Sequence, residues 1–473
     1  MSELFTEDFL STIIKAYDIR GLVDQQVTPE FTHAVGAAFA QFLHEQGEPL
    51  HIVIGEDMRP SSGPLASAFE KGAIAHGADV VRIGLASTDM LYFASGKLNI
   101  PGVMFTASHN PAAYNGIKLC KSGARPIGKE SGLVRIKDLV ISGVAPSDRL
   151  AGKSTSIDLL PDYVDFLLSL FPGLDVTSGR RLKVVIDAGN GMGGFTAPAV
   201  MNRLNVDLIP MYFELDGNFP NHEANPIEAK NLVDLQAKVR EVGADIGLAF
   251  DGDADRCFVV DELGEAVSPS AIAAIVALRE ISRVQALGAT DVVVLHNLIT
   301  SNVVAETIRG AGATPVRTRV GHSLIKDEMA RTSAVFGGEH SAHYYFREFW
   351  GADNGMLAAL NVLAELGSHD EPMSILRARF TPYAMSGEIN STVDDVAVAT
   401  DRVRQAFASR ATEDTLDGLT MLGKTDKSQS FWWFSVRPSN TEPLLRLNVE
   451  AADHDTMCRI RDEVLSLIRK DAP

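Results

Sequence analysis

The chain has 473 residues, 45% hydrophobic and 22% charged, a composition that belongs to folded multidomain proteins and excludes disordered and fibrous classes. Its 61 acidic and 43 basic side chains leave a formal charge of −18. Such a surface repels nucleic-acid backbones and anionic lipid, so any cations that bind an anionic metabolite must be gathered in one cleft.

The N-terminal stretch MSELFTEDFL carries acids where a secretory signal needs Lys or Arg. No later run approaches the ~18 apolar residues of a membrane span. Short Val- and Ile-rich runs begin at His51 (HIVIGEDMR), Leu182 (LKVVIDAGNGMGG), Asp245 (DIGLAFDGDADR) and Asp291 (DVVVLHNL). Continuous apolar runs of this length predict strands buried on both faces. Between them, segments from Pro64, Pro161, Asn231 and Ser301 repeat with a period near 3.6, which predicts helices, and AIAAIVAL from Ala271 has the length of a core helix. The recurring strand, loop and helix predict several α/β units in series.

Polar breaks place the divisions at 1–156, 157–262, 263–376 and 377–473, with a hinge expected in SHDEP (Ser368–Pro372). Beyond the last break the pattern changes to alternating strands and two amphipathic helices, an antiparallel α+β module. Cys120, Cys257 and Cys458 form neither a disulfide framework nor a zinc motif, and a cytoplasmic setting is expected.

Several loops hold residues suited to phosphate chemistry. In TASHNP, from Thr106, Ser108 sits beside His109; no G-x-S-x-G elbow is present, and on an extended chain these neighbouring side chains diverge. A phosphorylated serine clamped by a metal fits better than an acyl-transfer nucleophile. In DGDADR, Asp251, Asp253 and Asp255 alternate, which in an extended loop points three carboxylates one way, toward a hard ion such as Mg²⁺. An EF-hand loop fails here, because Arg256 stands where glycine is required and the flanks read as strands.

GGEHSAHYYF, from Gly337, alternates Glu339, Ser341 and His343 and could bracket sugar hydroxyls. GHSLIK offers His322 and Lys326. RPSNTEP brings Arg437, Ser439, Asn440 and Thr441 together, with Arg446 nearby, as a nest for a dianionic phosphate.

Taken in order, KAYDIRG from Lys15, TASHNP, DGDADR, GHSLIK, GEHSAH and RPSNTEP resemble the α-D-phosphohexomutases over nearly the whole chain. The resemblance implies three similar α/β domains with mixed sheets and a C-terminal, TATA-binding-protein-like α+β domain around a central cleft. It implies Ser108 as phosphoserine and Asp251, Asp253 and Asp255 as the Mg²⁺ site. Arg256 would follow the metal loop, with Tyr17, Arg20 and Lys118 beside the serine and the tail loop on the substrate's existing phosphate. The implied reaction is reversible phosphoryl transfer between the 1- and 6-positions of mannose, and by extension glucose, phosphates, with a hexose 1,6-bisphosphate as intermediate and activator. The alternatives are the glucosamine phosphate reaction and a phosphoserine-dependent sugar phosphatase.

The partners expected are small hexose phosphates, with no nucleic acid or membrane. Within the sugar loop, His340 and Ala342 depart from the commoner E-M-S-G-H form. Arg20 stays charged at any relevant pH and is expected to orient rather than deprotonate. Lys118, His109, His322 and His343 stand as alternatives for the general base.

Overall fold

The computed structural model describes residues 5–171, 180–423, 431–438 and 444–470. Four sheets follow one another along the chain. In the first, Ile19–Leu22, Tyr114–Lys121, Gly102–Phe105, His51–Glu56, Asp79–Leu85 and Ser154–Ser156 lie side by side, with the short Arg125–Pro126 off the Tyr114–Lys121 strand. His51–Glu56 runs parallel to both neighbours, whereas Gly102–Phe105 and Tyr114–Lys121 pair as an antiparallel hairpin.

The second and third sheets repeat this plan. Leu182–Asp187 runs parallel to Ile246–Phe250, which turns back through Cys257–Asp261. Val293–Asn297 runs parallel to Phe336–Gly338, which turns back through Tyr344–Phe346. The buried parallel strands are the apolar runs seen in the sequence, since both faces of each sheet are covered by helices such as Ser62–Ala75, Val233–Val242 and Pro269–Ala286.

The repetition positions the chemistry. TASHNP, DGDADR and EHSAH each occupy the same topological place, the turn after a parallel strand where the antiparallel return begins. Crevices outside the carboxyl ends of such strands are where α/β sheets bind ligands.

The fourth sheet is wholly antiparallel, ordered Ala384–Thr392, Leu444–Ala451, Trp432–Pro438, Leu419–Gly423 and Ala411–Asp414, and helices Val396–Phe407 and His454–Ile468 pack on it. Its apolar core is separate, while one continuous core runs through the first three units. A unit with its own core can turn as a body. Ser368–Pro372, the expected hinge, lies before the last contacts that tie the chain to the first three units. The helix that follows, Met373–Ala378, is anchored to the second unit: the Ser374 N–H donates to Glu262 at 3.0 Å, and Arg377 pairs with Asp261 at 2.6 Å. Beyond that helix Tyr383 OH still reaches Glu306 of the third unit at 2.8 Å, just before strand Ala384–Thr392 begins.

Candidate active site

Strand Gly102–Phe105 is buried throughout and delivers Ser108 to a loop that cannot stay extended. Thr106 Oγ1 accepts from the Ser108 N–H at 2.9 Å, and Ser108 adopts φ 50°, in the left-handed region. For a residue with a Cβ that conformation costs about 1–2 kcal/mol, so the surroundings must impose it. Its consequence reverses the expectation for an extended chain: Ser108 Oγ lies 3.2 Å from His109 Nδ1. The same hydroxyl donates to Asp251 Oδ2 at 3.0 Å, joining the first unit to the second.

The acidic triplet also converges for a different reason from simple alternation. Ala254 takes φ 61°, folding DGDADR into a turn capped by the Ala254 N–H on the Asp251 carbonyl at 3.0 Å. The carboxylate oxygens of Asp251, Asp253 and Asp255 then lie within 4.8 Å of one another, all buried. Lys118 Nζ donates to Asp253 and Asp255 at 2.7 Å each, and Arg256 Nε to Asp251 at 2.9 Å. Two cations therefore face three carboxylates.

Burial pushes the Asp251 carboxyl up to about 7, with Arg256 opposing the shift. Burial works against the Lys118 charge, but Asp253 and Asp255 outweigh it and hold the ammonium well above its ordinary value. Asp253 Oδ1 and Asp255 Oδ1 are buried with no hydrogen-bond partner. Unpaired anionic oxygens in a compact, all-carboxylate cluster fit a hard divalent cation. Ser108 Oγ adjoins the same cluster.

The third loop repeats the device. Ala342 has φ 66°, and in the resulting turn Ser341 Oγ lies 3.0 Å from His343 Nδ1 and 3.4 Å from Glu339 Oε2. Glu339 is oriented by Tyr345 OH at 2.9 Å, Asn297 Nδ2 at 3.2 Å and the Gly321 N–H at 3.3 Å. An antiparallel bridge between Arg256 and His343 ties this loop to the metal loop.

These loops share a cavity of about 290 Å³, lined by Lys15, Tyr17, Asp18, Arg20, Ser108, His109, Lys118, Asp255, Arg256 and His343. Arg20 donates to Asn110 Oδ1 at 2.6 Å and pairs with Asp18, and its Nε is buried without a partner. Arg256 Nη2 donates to His109 Nδ1 at 2.6 Å. Burial, then Arg256 and Arg20, press the His109 pKa well below the ordinary imidazole value. Tyr17 reaches the third unit, where a Cβ on Gly321 would fall 2.3 Å from its hydroxyl.

From the fourth unit, Arg437 and Arg446 face each other across paired strands with Glu388 between them, at 3.3 and 3.6 Å respectively. Both retain a buried, unpartnered Nε. Burial lowers the Arg437 pKa, and Glu339 of the sugar loop is close enough to act on it electrostatically. Two like charges in register destabilise each other, a repulsion that an anionic group relieves.

Lys326 does not reach the cavity. Its Nζ pairs with Asp353 at 2.6 Å and lies 3.9 Å from the Tyr92 ring centre, at 5% exposure. Helix His322–Thr332 carries it next to Ile325, which with Met329 packs on Leu295 and Tyr345 of the sheet. The side chain of His322, and Ser439, Asn440 and Thr441 entirely, lie outside the described residues. His340 points behind its loop, where its Nδ1 meets Ser270 Oγ at 2.9 Å.

Sequence reasoning passed over Lys15 and Asp18, although both fall in KAYDIRG. It also passed over Thr88, whose hydroxyl donates to Asp253. Asp57 and Arg59, beneath the serine loop, were signalled only by a D-x-R following a buried strand.

Comparison with known proteins agrees with this architecture. Four consecutive family profiles match: phosphoglucomutase/phosphomannomutase alpha/beta/alpha domain I over 11–141, domain II over 161–264, domain III over 268–383 and the C-terminal domain over 388–467. Phosphohexose mutases from Xanthomonas campestris pv. campestris are 38% identical over 460 residues, covering 96% of this chain and 98% of theirs. A phosphomannomutase from Escherichia coli is 36% identical over 464 residues, with the same shares. Among solved structures, a phosphoglucomutase/phosphomannomutase family protein from Burkholderia thailandensis superposes with a TM-score of 0.86 at 28% identity, covering 98% of each chain. Since the matches follow one another in order along all four units and meet at the cleft just described, the chain is an enzyme of the phosphoglucomutase/phosphomannomutase family, the phosphohexomutases, which move a phosphoryl group within a hexose phosphate.

Proposed function

We propose that the enzyme interconverts the 1- and 6-phosphates of mannose, and of glucose, through a phosphoryl group carried on Ser108 and a bound hexose 1,6-bisphosphate. The observation that carries this reading is the Ser108 hydroxyl, 3.0 Å from Asp251 in a cavity lined by Arg20, Lys118 and Arg256. The phosphomannomutase relatives favour mannose phosphate as a substrate. Glu339 and Ser341 would read hydroxyls common to both sugars.

The free hydroxyl of the substrate attacks the phosphorus on Ser108. A P–O bond to the sugar forms as the P–Oγ bond breaks, the sugar hydroxyl proton passes to a base, and Oγ regains a proton. Once regenerated, the Ser108 hydroxyl donates to Asp251 Oδ2 at 3.0 Å, while His109 Nδ1, 3.2 Å from Oγ, accepts from Arg256 and holds that guanidinium beside the transferring group. Arg20 and Arg256 supply donors to the transferring group, while Arg437 and Arg446, with Ser439, Asn440 and Thr441, take the distal phosphate. Asp251, Asp253 and Asp255, with the Ser108 oxygen, would hold Mg²⁺, whose charge offsets that of the transferring group. After the bisphosphate reorients, the second phosphate returns to Ser108 by the reverse step.

No described helix is long and apolar enough to cross a membrane. We place the enzyme in the cytoplasm, where hexose phosphates are the available partners.

The test is phosphorus NMR of mannose, glucose and glucosamine 1-phosphates incubated with the enzyme, Mg²⁺ and glucose 1,6-bisphosphate. Mannose and glucose 6-phosphates should accumulate without inorganic phosphate, and Ser108→Ala should abolish both products. Free phosphate alone would indicate a phosphatase, and preference for the glucosamine ester a phosphoglucosamine mutase.

A further inference from the structure

Beneath the serine loop, one guanidinium is spent entirely on the protein itself. Arg59 Nη2 donates to the carbonyls of Ser108 and Asn110 at 2.9 and 2.7 Å, and Nη1 to those of Pro111 and Tyr114 at 2.9 and 3.0 Å. Its Nε donates to Asp57 Oδ2 at 3.2 Å. Arginine has five N–H donors, and all five are taken. The residue is 2% exposed, so it has neither the donors nor the access to bind substrate.

The second unit closes on the same residue from the other side. The Phe219 ring centre lies 5.1 Å from the guanidinium carbon, and a Cβ on Gly217 would fall 2.5 Å from Arg59 Cα. The Ser108 carbonyl that Arg59 grips is also faced by the metal loop, where a Cβ on Gly252 would come within 2.4 Å. Arg59 thus spans four carbonyls of the loop bearing Ser108 and is itself held against the unit bearing Asp251.

We infer that Arg59 is a positioning residue for phosphoryl transfer: it holds Ser108 in the left-handed conformation that aims Oγ at Asp251 and His109. The inference rests on Ser108 as the phosphoryl carrier. Without the grip, Ser108 is free to relax to an ordinary φ and Oγ swings away from both partners.

Arg59→Lys keeps the charge but replaces a planar five-donor fork with three donors on a point, too few for this set of acceptors. The experiment measures kcat and KM for mannose 1-phosphate, the single-turnover loss of phosphoryl from pre-phosphorylated enzyme, and thermal melting. In folded Arg59→Lys, kcat and the single-turnover rate should fall about 100-fold, the scale of a misplaced reacting atom. KM should stay within about threefold, because no substrate contact is removed. Asp57→Asn, which loosens the guanidinium without removing it, should show the same split more mildly.

A wild-type transfer rate in folded Arg59→Lys, or a loss confined to KM, overturns the inference. Should Arg59→Lys fail to fold, Asp57→Asn decides: a selective fall in kcat supports the grip, and an unchanged kcat overturns it. Failure of the functional reading itself is recognised separately, since Ser108→Ala would then remain active with Arg59 untouched, and the inference would fall with it.

Discussion

Ser108 and Asp251 stand 143 positions apart in the chain, yet the serine hydroxyl donates to the aspartate carboxylate across 3.0 Å. Each residue lies on the return loop of a separate α/β unit, so the contact exists only because two repeats present the same loop to one cleft. Perturbing the approach of those loops should disturb chemistry before it disturbs the fold.

Gly252→Ala tests that approach. The new methyl would fall 2.4 Å from the Ser108 carbonyl oxygen and 3.2 Å from its carbon, backbone atoms with no flexible side chain to yield. We expect kcat to fall about 100-fold with a stability cost of about 1–3 kcal/mol. Steady-state kinetics with a melting curve check this; unchanged kcat in the folded variant would mean that the loops can separate without penalty.

The buried triad should bind Mg²⁺ before any substrate arrives. Saturating the native state at 100 times its dissociation constant stabilises it by about 2.7 kcal/mol. Wild-type enzyme stripped with chelator should therefore melt lower than enzyme with Mg²⁺ restored. Asp253→Asn/Asp255→Asn should show no such difference, and an equal shift in both proteins would place the ion elsewhere.

Lys326→Met separates a buried ion pair from a substrate contact. Removing the ammonium leaves Asp353, itself 1% exposed, without its cation, and breaking a buried pair costs about 3–5 kcal/mol. Denaturant unfolding should record that loss, while KM below the melting transition stays within about threefold. A tenfold rise in KM at unchanged stability would show, on the same scale, that the side chain touches substrate after all.

Asp89, beside the Thr88 that bonds Asp253, supplies a pH signature of its own. Burial raises its carboxyl to about 7, with a smaller upward push from Asp255, against hydrogen bonds from Ser87 and Tyr163 that favour the charged form. Because the folded value exceeds the unfolded one near 3.9, the preference for the protonated native state is complete below about pH 4 and is lost as pH rises through 7. The full excursion is on the order of 4 kcal/mol. Asp89→Asn should flatten the stability curve between pH 4 and 7 relative to wild type, as measured by urea unfolding; parallel curves would refute the assignment.

Hydrophobic periodicity and turn chemistry are local properties, so the sequence alone determined the parallel core strands, the helices between them, the distinct fourth unit and the loops that carry polar clusters. A strand buried on both faces must be apolar along its length, and one half-exposed must alternate; both patterns can be read without coordinates. Where side chains point was decided only by the tertiary structure. Single left-handed residues, Ser108, Ala254 and Ala342, turn each loop, so that Ser108 and His109 converge where divergence was expected and the acidic and sugar-loop clusters meet through a turn, not through alternation on an extended chain. Nothing local distinguishes an alanine in that conformation from one in a strand; packing against the next unit imposes it. For the same reason Lys326 looked available but is neutralised in the core by Asp353, and Arg59 looked like the end of a strand but grips four carbonyls. Their partners lie 27 to 55 positions away in the chain, a separation at which composition and periodicity carry no directional information.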